Sequence, residues 1–274
     1  MNHFKDRNYL KHKLKFTQQK ALSMRYDDSK KSQWLYYHLQ IMQELGYFDD
    51  KLMKYCKGNW KYVSMRQAYI DISLKQYHYD EAIKALNHSI KLDKDDKELV
   101  IGYRYKLKDI YHTLGNNEEY KNQLMLLVTI DNPGNVEDFK ELKALYDEAE
   151  WKDIREDILM ILPDHCGIDK LYKEEKLYDR LLNIVINEEG LYKVFEFEDV
   201  LKDEYPQELL DKYRKELNKM AYRSATRDKY RTWVQYLRRM KDINGGEKVA
   251  QEIVDDWKVK YKNRPALMEE LKRL

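Results

Sequence analysis

The sequence predicts an all-α protein, a right-handed superhelical stack of antiparallel helical hairpins. Three observations carry this expectation. Four prolines and nine glycines in 274 residues leave few places where the chain can turn. Aromatic residues (24 Tyr, 6 Phe and 5 Trp) fall at helical spacing with Lys, Arg, Asp and Glu between them. A signature of tyrosine, acidic residue and apolar helix recurs along the chain. Apolar positions three and four apart, with turn formers rare, describe helix after helix joined by short connections. Tyrosine suits half-buried helix faces, where the ring packs and the hydroxyl reaches water. No stretch reads as a strand.

Residues 1–31 form a basic N-terminal segment, nine Lys/Arg against three Asp/Glu, either partly helical or a loose arm. Helical hairpins are expected over 32–130. Trp34, Leu35, Leu39, Met42 and Leu45 make an amphipathic stretch that stops at Gly46, where a helix end favours a left-handed residue. YFDDKLMKYCKG is a short second helix ending near Gly58. Val63 to Leu74 is helical by pattern. After QYHYD comes DEAIKALNHSIKLD, with Ile83, Leu86 and Ile90 on one face and Asp80 expected as N-cap. Asp93 to Asp96 closes that hairpin. Val100, Tyr103, Leu107, Ile110 and Leu114 form the next stripe, which ends at Gly115, and NNEEYKNQLMLLVTID supplies its partner.

DNPGN, Asp131 to Asn135, is the strongest internal breaker, and residues 136–274 are expected as a second set of hairpins, continuous with the first or packed on it. Glu137 to Asp157 is acidic, nine Asp/Glu against four Lys/Arg, with helices over VEDFKELKALY and EWKDIREDILMIL. PDHCG (Pro163 to Gly167) breaks the chain again. Short helices are expected over Ile168–Glu175 and Tyr178–Asn187, the second stopped by Gly190. LYKVFEFEDVLKDEY leads to Pro206, suited to a first helical position because the N–H it lacks would have no partner there. Leu209, Tyr213, Leu217 and Met220 line that helix. Helices over 226–243 and 247–262 flank a turn at Gly245-Gly246, and Pro265 starts a terminal turn. Val249, Ile253 and Trp257 repeat every four residues, which places Trp257 against the helix carrying Trp233 and Leu237.

The signature behaves as an internal repeat. Glu81 in QYHYDEAIKAL and Glu119 in LGNNEEYKNQL hold equivalent places 38 residues apart, and Tyr47-Phe48-Asp49 and Tyr178-Asp179 echo them. Helix pairs with a period of ~34–47 residues build α-solenoids. The irregular spacing describes a divergent tetratricopeptide-like array without the consensus.

Cys56 and Cys166 stand far apart, which argues against a disulfide framework and for a reducing, cytoplasmic location. Charges interrupt every apolar stretch of MNHFKDRNYLKHKLKF, so no secretion signal is expected. The longest apolar runs, LMLLV and ILMIL, have five residues, against ~20 for a membrane span. A net charge of +2 is too small to imply bulk attraction to nucleic acid or membrane, or to exclude it.

No catalytic residue, metal, cofactor or small-molecule substrate is expected. Cys56, Cys166 and His165 fall short of the four ligands of a structural zinc. The acidic pairs Glu118-Glu119, Glu188-Glu189 and Asp255-Asp256 sit among lysines or near helix ends, where solvated surface is a simpler reading than acid–base chemistry. The feature that stands out is basic: Lys212 to Lys241 holds eleven Lys/Arg against two acids. By spacing, Lys212, Lys215, Lys219 and Arg223 share one helix face. Arg227, Arg231, Arg238 and Lys241 form a stripe on the next helix, beside Tyr230, Trp233, Leu237 and Met240. These eight cations are the candidate anion- or partner-binding patch. Exposed, they would bind phosphates by counterion release. The plainer alternative has the acidic stretches Glu137–Asp157 and Glu196–Glu204 neutralising them internally.

Four features go together: DEAIKALNHSIKL with LKDIYHTLGNNEEYKNQLMLL, the acidic helix pair around Trp151, the pattern Arg223, Arg227, Tyr230 and Arg231, and the ending Arg264-Pro265-Ala266-Leu267 with Glu269, Glu270 and Leu271. Over roughly residues 35 to 274 they resemble the helical C-terminal region of bacterial SWIM zinc-finger proteins. The resemblance implies an interaction scaffold. The SWIM motif itself, Cys-x-Cys followed by Cys-x-His, is missing from the sequence. The family's zinc site therefore does not carry over, and the chain is expected to be a piece of a longer protein or a relative without the finger. The expected function is a non-catalytic helical-repeat scaffold for an unidentified protein partner. The alternative is an accessory nucleic-acid-associated domain using the arm Lys5 to Lys31 and the Lys212–Lys241 stretch. No membrane role is expected.

Overall fold

The computed structural model describes residues 6–24, 26–163, 166–223 and 225–274. Among them lie sixteen α-helices, one π-helical turn and no strand, so the protein is all-α. The chain gathers into two units, Met1–Pro163 and Asp164–Leu274. DNPGN lies inside the first, and the division falls in PDHCG, whose Asp164 and His165 lie outside the described residues.

The first unit contains α1 (Arg7–Ser23), α2 (Asp28–Glu44), α3 (Asp49–Gly58), α4 (Val63–Lys75), α5 (Tyr79–Leu92), α6 (Lys97–Thr113), α7 (Asn117–Leu126), the π turn Leu127–Asp131, α8 (Val136–Lys143) and α9 (Glu148–Ile161). The basic N-terminal segment is helical in α1, started by Asp6, whose carboxylate accepts from the Asn8 N–H. Leu10, Thr17 and Ala21 are its buried face, and α1 packs on α2. There His38 Nδ1 lies 2.9 Å from Thr17 Oγ1 and 3.1 Å from the Leu14 carbonyl, and burial lowers the His38 pKa. Each helix from α1 to α8 packs on its successor directly or through the π turn, and α2 also packs on α4. Leu39, Leu52, Met65, Ile70, Leu86 and Leu107 lie at the centre of the α2–α6 core. The buried Arg66 guanidinium is admitted because Asp93 takes Nη2 at 2.5 and 2.6 Å while Nη1 donates to the carbonyls of Trp60 and Lys61.

One turn is built four times among the described residues. After α2, α4, α6 and α10, a single residue takes left-handed backbone: Gly46 (φ 74°), Tyr77 (φ 60°), Gly115 (φ 67°) and Lys176 (φ 55°). The following N–H of Tyr47, His78, Asn116 and Leu177 returns to the carbonyl of Met42, Ser73, Tyr111 and Tyr172, 2.8–3.1 Å away. The left-handed residue itself donates to Gln43, Leu74, His112 and Lys173. These paired bonds satisfy the carbonyls that a helix end would otherwise leave unpaired, the Schellman arrangement. Asp80 is not an N-cap as expected: α5 starts at Tyr79, His78 occupies the cap position, and Asp80 lies in the first turn.

The second unit contains α10 (Ile168–Glu174), α11 (Tyr178–Asn187), α12 (Tyr192–Leu201), α13 (Pro206–Tyr222), α14 (Arg227–Met240), α15 (Gly246–Lys260) and α16 (Pro265–Leu271). Successive helices pack from α10 to α15, and α11 also packs on α13, α13 on α15, and α14 on α16. Its core runs through Leu181, Phe197, Tyr213, Leu217, Leu237 and Trp257. Trp257 is fully buried, as its stripe predicts, with its ring edge-on to Trp233 at 5.9 Å and Nε1 donating to Asn218 Oδ1 at 2.8 Å. Only glycine fits at 246, since a Cβ there would stand 1.8 Å from the Met240 carbonyl oxygen.

Candidate interaction site

The candidate site is the basic face of the second unit, and its eight cations have different fates. Lys212 does not belong to a surface patch. Its side chain is 3% exposed, and its ammonium donates to the Glu188 carbonyl and to Glu216 Oε1 at 3.1 Å. Lys219 is exposed and pairs with Glu189 at 2.5 Å, which lowers the Glu189 pKa and raises that of Lys219. Arg227 donates to Glu269 and, at 2.9 Å, to Glu270. Arg231 pairs with Asp228 at 3.0 Å and approaches Glu270 at 3.5 Å. Arg238 donates to the Arg273 carbonyl. Lys215 and Arg223 are exposed, Lys241 is half-buried, and none of the three has an ion pair among the described residues.

Glu270 is the hub of this face. Its side chain is 3% exposed and also takes Arg273 at 3.1 Å. The hydrogen bond from Arg227, then the charges of Arg273 and Arg231, hold its carboxyl below the usual carboxylate range. The stripe on α14 is therefore held by α16. Of the two acidic stretches expected to neutralise the patch, Glu196–Glu204 contributes Glu198, which takes Arg239, a cation outside the eight. In Glu137–Asp157, Glu141 is engaged within the first unit by Lys108 at 2.7 Å.

Sequence reasoning missed Arg239 and Arg264 as structural cations. Arg239 also donates to the Phe195 carbonyl at 3.0 Å, while Tyr213 donates to Glu198 at 2.6 Å. Arg264 donates to the Ala221 carbonyl at 2.6 Å and to that of Tyr222 at 3.3 Å, closing the end of α13. These contacts span 41–44 residues, so no local spacing rule reveals them. The one signal in the sequence is the ending Arg264-Pro265 with Glu269-Glu270, whose residues form a lock across α13, α14 and α16.

Beside the lock, the second half of α13, Arg223 and Ala225, one face of α14 and Glu189-Gly190 line an open groove of about 950 Å³. The half-buried Met220 and Tyr236 supply most of its apolar surface, with the buried Trp233 behind them in its lining and Lys219, Arg223 and Lys229 along it. The groove's two carboxylates are those of Glu189 and Glu216.

Elsewhere the candidates are plain. Among the described residues no three His, Cys, Asp or Glu side chains gather as metal ligands. Cys56 is buried, with its thiol pushed up to about 12 by that burial; Cys166 is half-buried, and His165 lies outside the described residues. Asp255 and Asp256 pair with Lys258 and Lys260 on the surface of α15. Glu118-Glu119 open α7. No helix among the described residues is long and apolar enough to cross a membrane. Neither models of known protein families nor curated protein sequences match the chain.

Proposed function

We propose that this protein is a non-catalytic helical-repeat scaffold that binds a protein partner, its hairpins stacked as a tetratricopeptide-like, right-handed α-solenoid. The observation that carries the reading is the fourfold recurrence of one helix–turn–helix geometry at Gly46, Tyr77, Gly115 and Lys176. Packing of helices on their successors and, at α2, α11, α13 and α14, on the helix after next supports stacking of such units. The resemblance of residues 35 to 274 to the SWIM helical region points the same way, toward a cytoplasmic bacterial scaffold. Arg227, Arg231 and Arg238 already have acceptors, which favours a protein partner over nucleic acid as ligand of this face.

Labelled single-stranded and duplex oligonucleotides, titrated at two salt concentrations, test this choice together with melts of the triple variant Arg227→Glu/Arg231→Glu/Arg238→Glu. The scaffold reading expects no oligonucleotide binding at physiological salt and a lower melting temperature for the variant, because its new carboxylates face Glu269 and Glu270. Micromolar binding that falls steeply with salt, lost in a variant that melts like the parent, would make nucleic acid the partner.

A further inference from the structure

We infer that the groove between α13 and α14 receives an acidic peptide segment carrying a large apolar anchor, so that the partner presents an aromatic or leucine side chain flanked by Asp or Glu. This rests on the protein-partner reading above. It follows from the groove's chemistry.

Met220 and Tyr236 are half-buried and Trp233 is 4% exposed, so the apolar surface open to an incoming side chain comes mainly from Met220 and Tyr236, along a groove of about 950 Å³ that opens to solvent. Peptide interfaces draw most of their energy from a few such buried anchors. The charge around the groove is one-sided. Glu216 is taken by Lys212 at 3.1 Å and Glu189 by Lys219 at 2.5 Å, so both carboxylates are already matched. Arg223 and Lys229 are exposed, line the groove and have no ion pair among the described residues. An acidic segment would match them, whereas a basic one would meet two uncompensated cations. Arg223 can take a carboxylate through two parallel hydrogen bonds, which fixes orientation as well as charge. Tyr222, 80% exposed and also lining the groove, offers an amphipathic ring to the same occupant.

A random-peptide phage library selected on the immobilised full chain tests the inference. Enriched peptides should combine Asp or Glu with Trp, Phe or Leu, and synthetic versions should bind more weakly as salt rises. Arg223→Glu/Lys229→Glu should weaken them at least tenfold, with its thermal melt unchanged because both residues are exposed, and Arg223→Lys/Lys229→Arg should retain binding. Enriched peptides that bind the charge-reversed variant equally well would overturn the groove assignment and leave the protein-partner reading standing. Enriched peptides that need Arg223 and Lys229 but lack an anchor residue, or show no acidic bias, would overturn the stated chemistry. An oligonucleotide that binds the parent and loses affinity in the reversed variant, with no peptide enriched, would overturn both. Failure to enrich any sequence also counts against the inference.

Discussion

In the first unit, α1, α2, α6, α7, α8 and α9 each begin at an Asp or Asn whose side chain accepts an N–H two or three residues ahead: Asp6, Asp27, Asp96, Asn116, Asn135 and Asp147. In the second unit the residue at the cap position of α10 to α16 makes no such side-chain bond. Cations from elsewhere in the fold close carbonyl ends there, a device the first unit uses once among the described residues, at Arg66 after α3. Lys212 serves Glu188 after α11, Arg264 serves Ala221 and Tyr222 at the end of α13, and Arg238 serves Arg273 after α16. Both devices satisfy the groups that a helix terminus leaves unpaired. One is local in sequence and the other is tertiary, which is why a run of cations that looks like a binding stripe is largely occupied with structure.

The largest expected effects fall where the second unit's tertiary order is concentrated. Trp257→Ala empties a fully buried site and should cost about 3–5 kcal/mol by denaturant titration. A loss under about 1 kcal/mol would mean that this unit does not depend on its long-range packing. Lys212→Ala leaves the buried Glu216 carboxylate unpaired and should cost about 3–5 kcal/mol. Lys212→Met/Glu216→Leu should recover most of that, because it removes both charges together. If the double variant is no better than the single one, the lysine matters through the Glu188 carbonyl and not through its ion pair.

Smaller effects sharpen the contrast. Asp147→Ala at the start of α9 removes a cap and should cost about 1 kcal/mol. Thr226→Ala, at the matching position of α14, should change stability by no more than a few tenths of that, roughly 0.3 kcal/mol, since no side-chain bond is lost. Equal losses would erase the distinction between the units. The smallest signal is a pH slope. Glu270 has a depressed pKa in the fold, so its stabilising contribution is complete above the ordinary carboxylate range and is lost as pH falls through that range toward the folded value. The melting temperature should therefore drop on acidification, and less so in Glu270→Gln. An identical slope in the two proteins would remove Glu270 from the lock's energetics.

Much of the helix pattern was legible because its determinants are local. Gly46 and Gly115 mark left-handed turns by residue type, whereas Tyr77 and Lys176 could be aligned with them only through the echo of the following Tyr-Asp. Asp80 misled because an acid near a helix start is favourable both at the cap and in the first turn, and residue type does not separate the two. Trp257 was readable from its four-residue stripe. The patch was not: spacing put Lys212 in line with Lys215 and Lys219, but the fold buries it beside Glu216. The partners of Arg227 lie 42 and 43 residues away, beyond any periodicity.

The four Schellman turns have a further consequence, in time instead of space. Each closes on carbonyls within the preceding six residues, so a turn and its two helices can form as soon as that short stretch exists. Contacts of such small separation set fast, stepwise folding routes. The clamps made by Arg264, Arg227 and Arg239 span 41–44 residues and must wait for segments far along the chain. During synthesis, hairpins of the first unit can therefore mature while the ribosome is still working, but α13 stays uncapped until Arg264 has emerged.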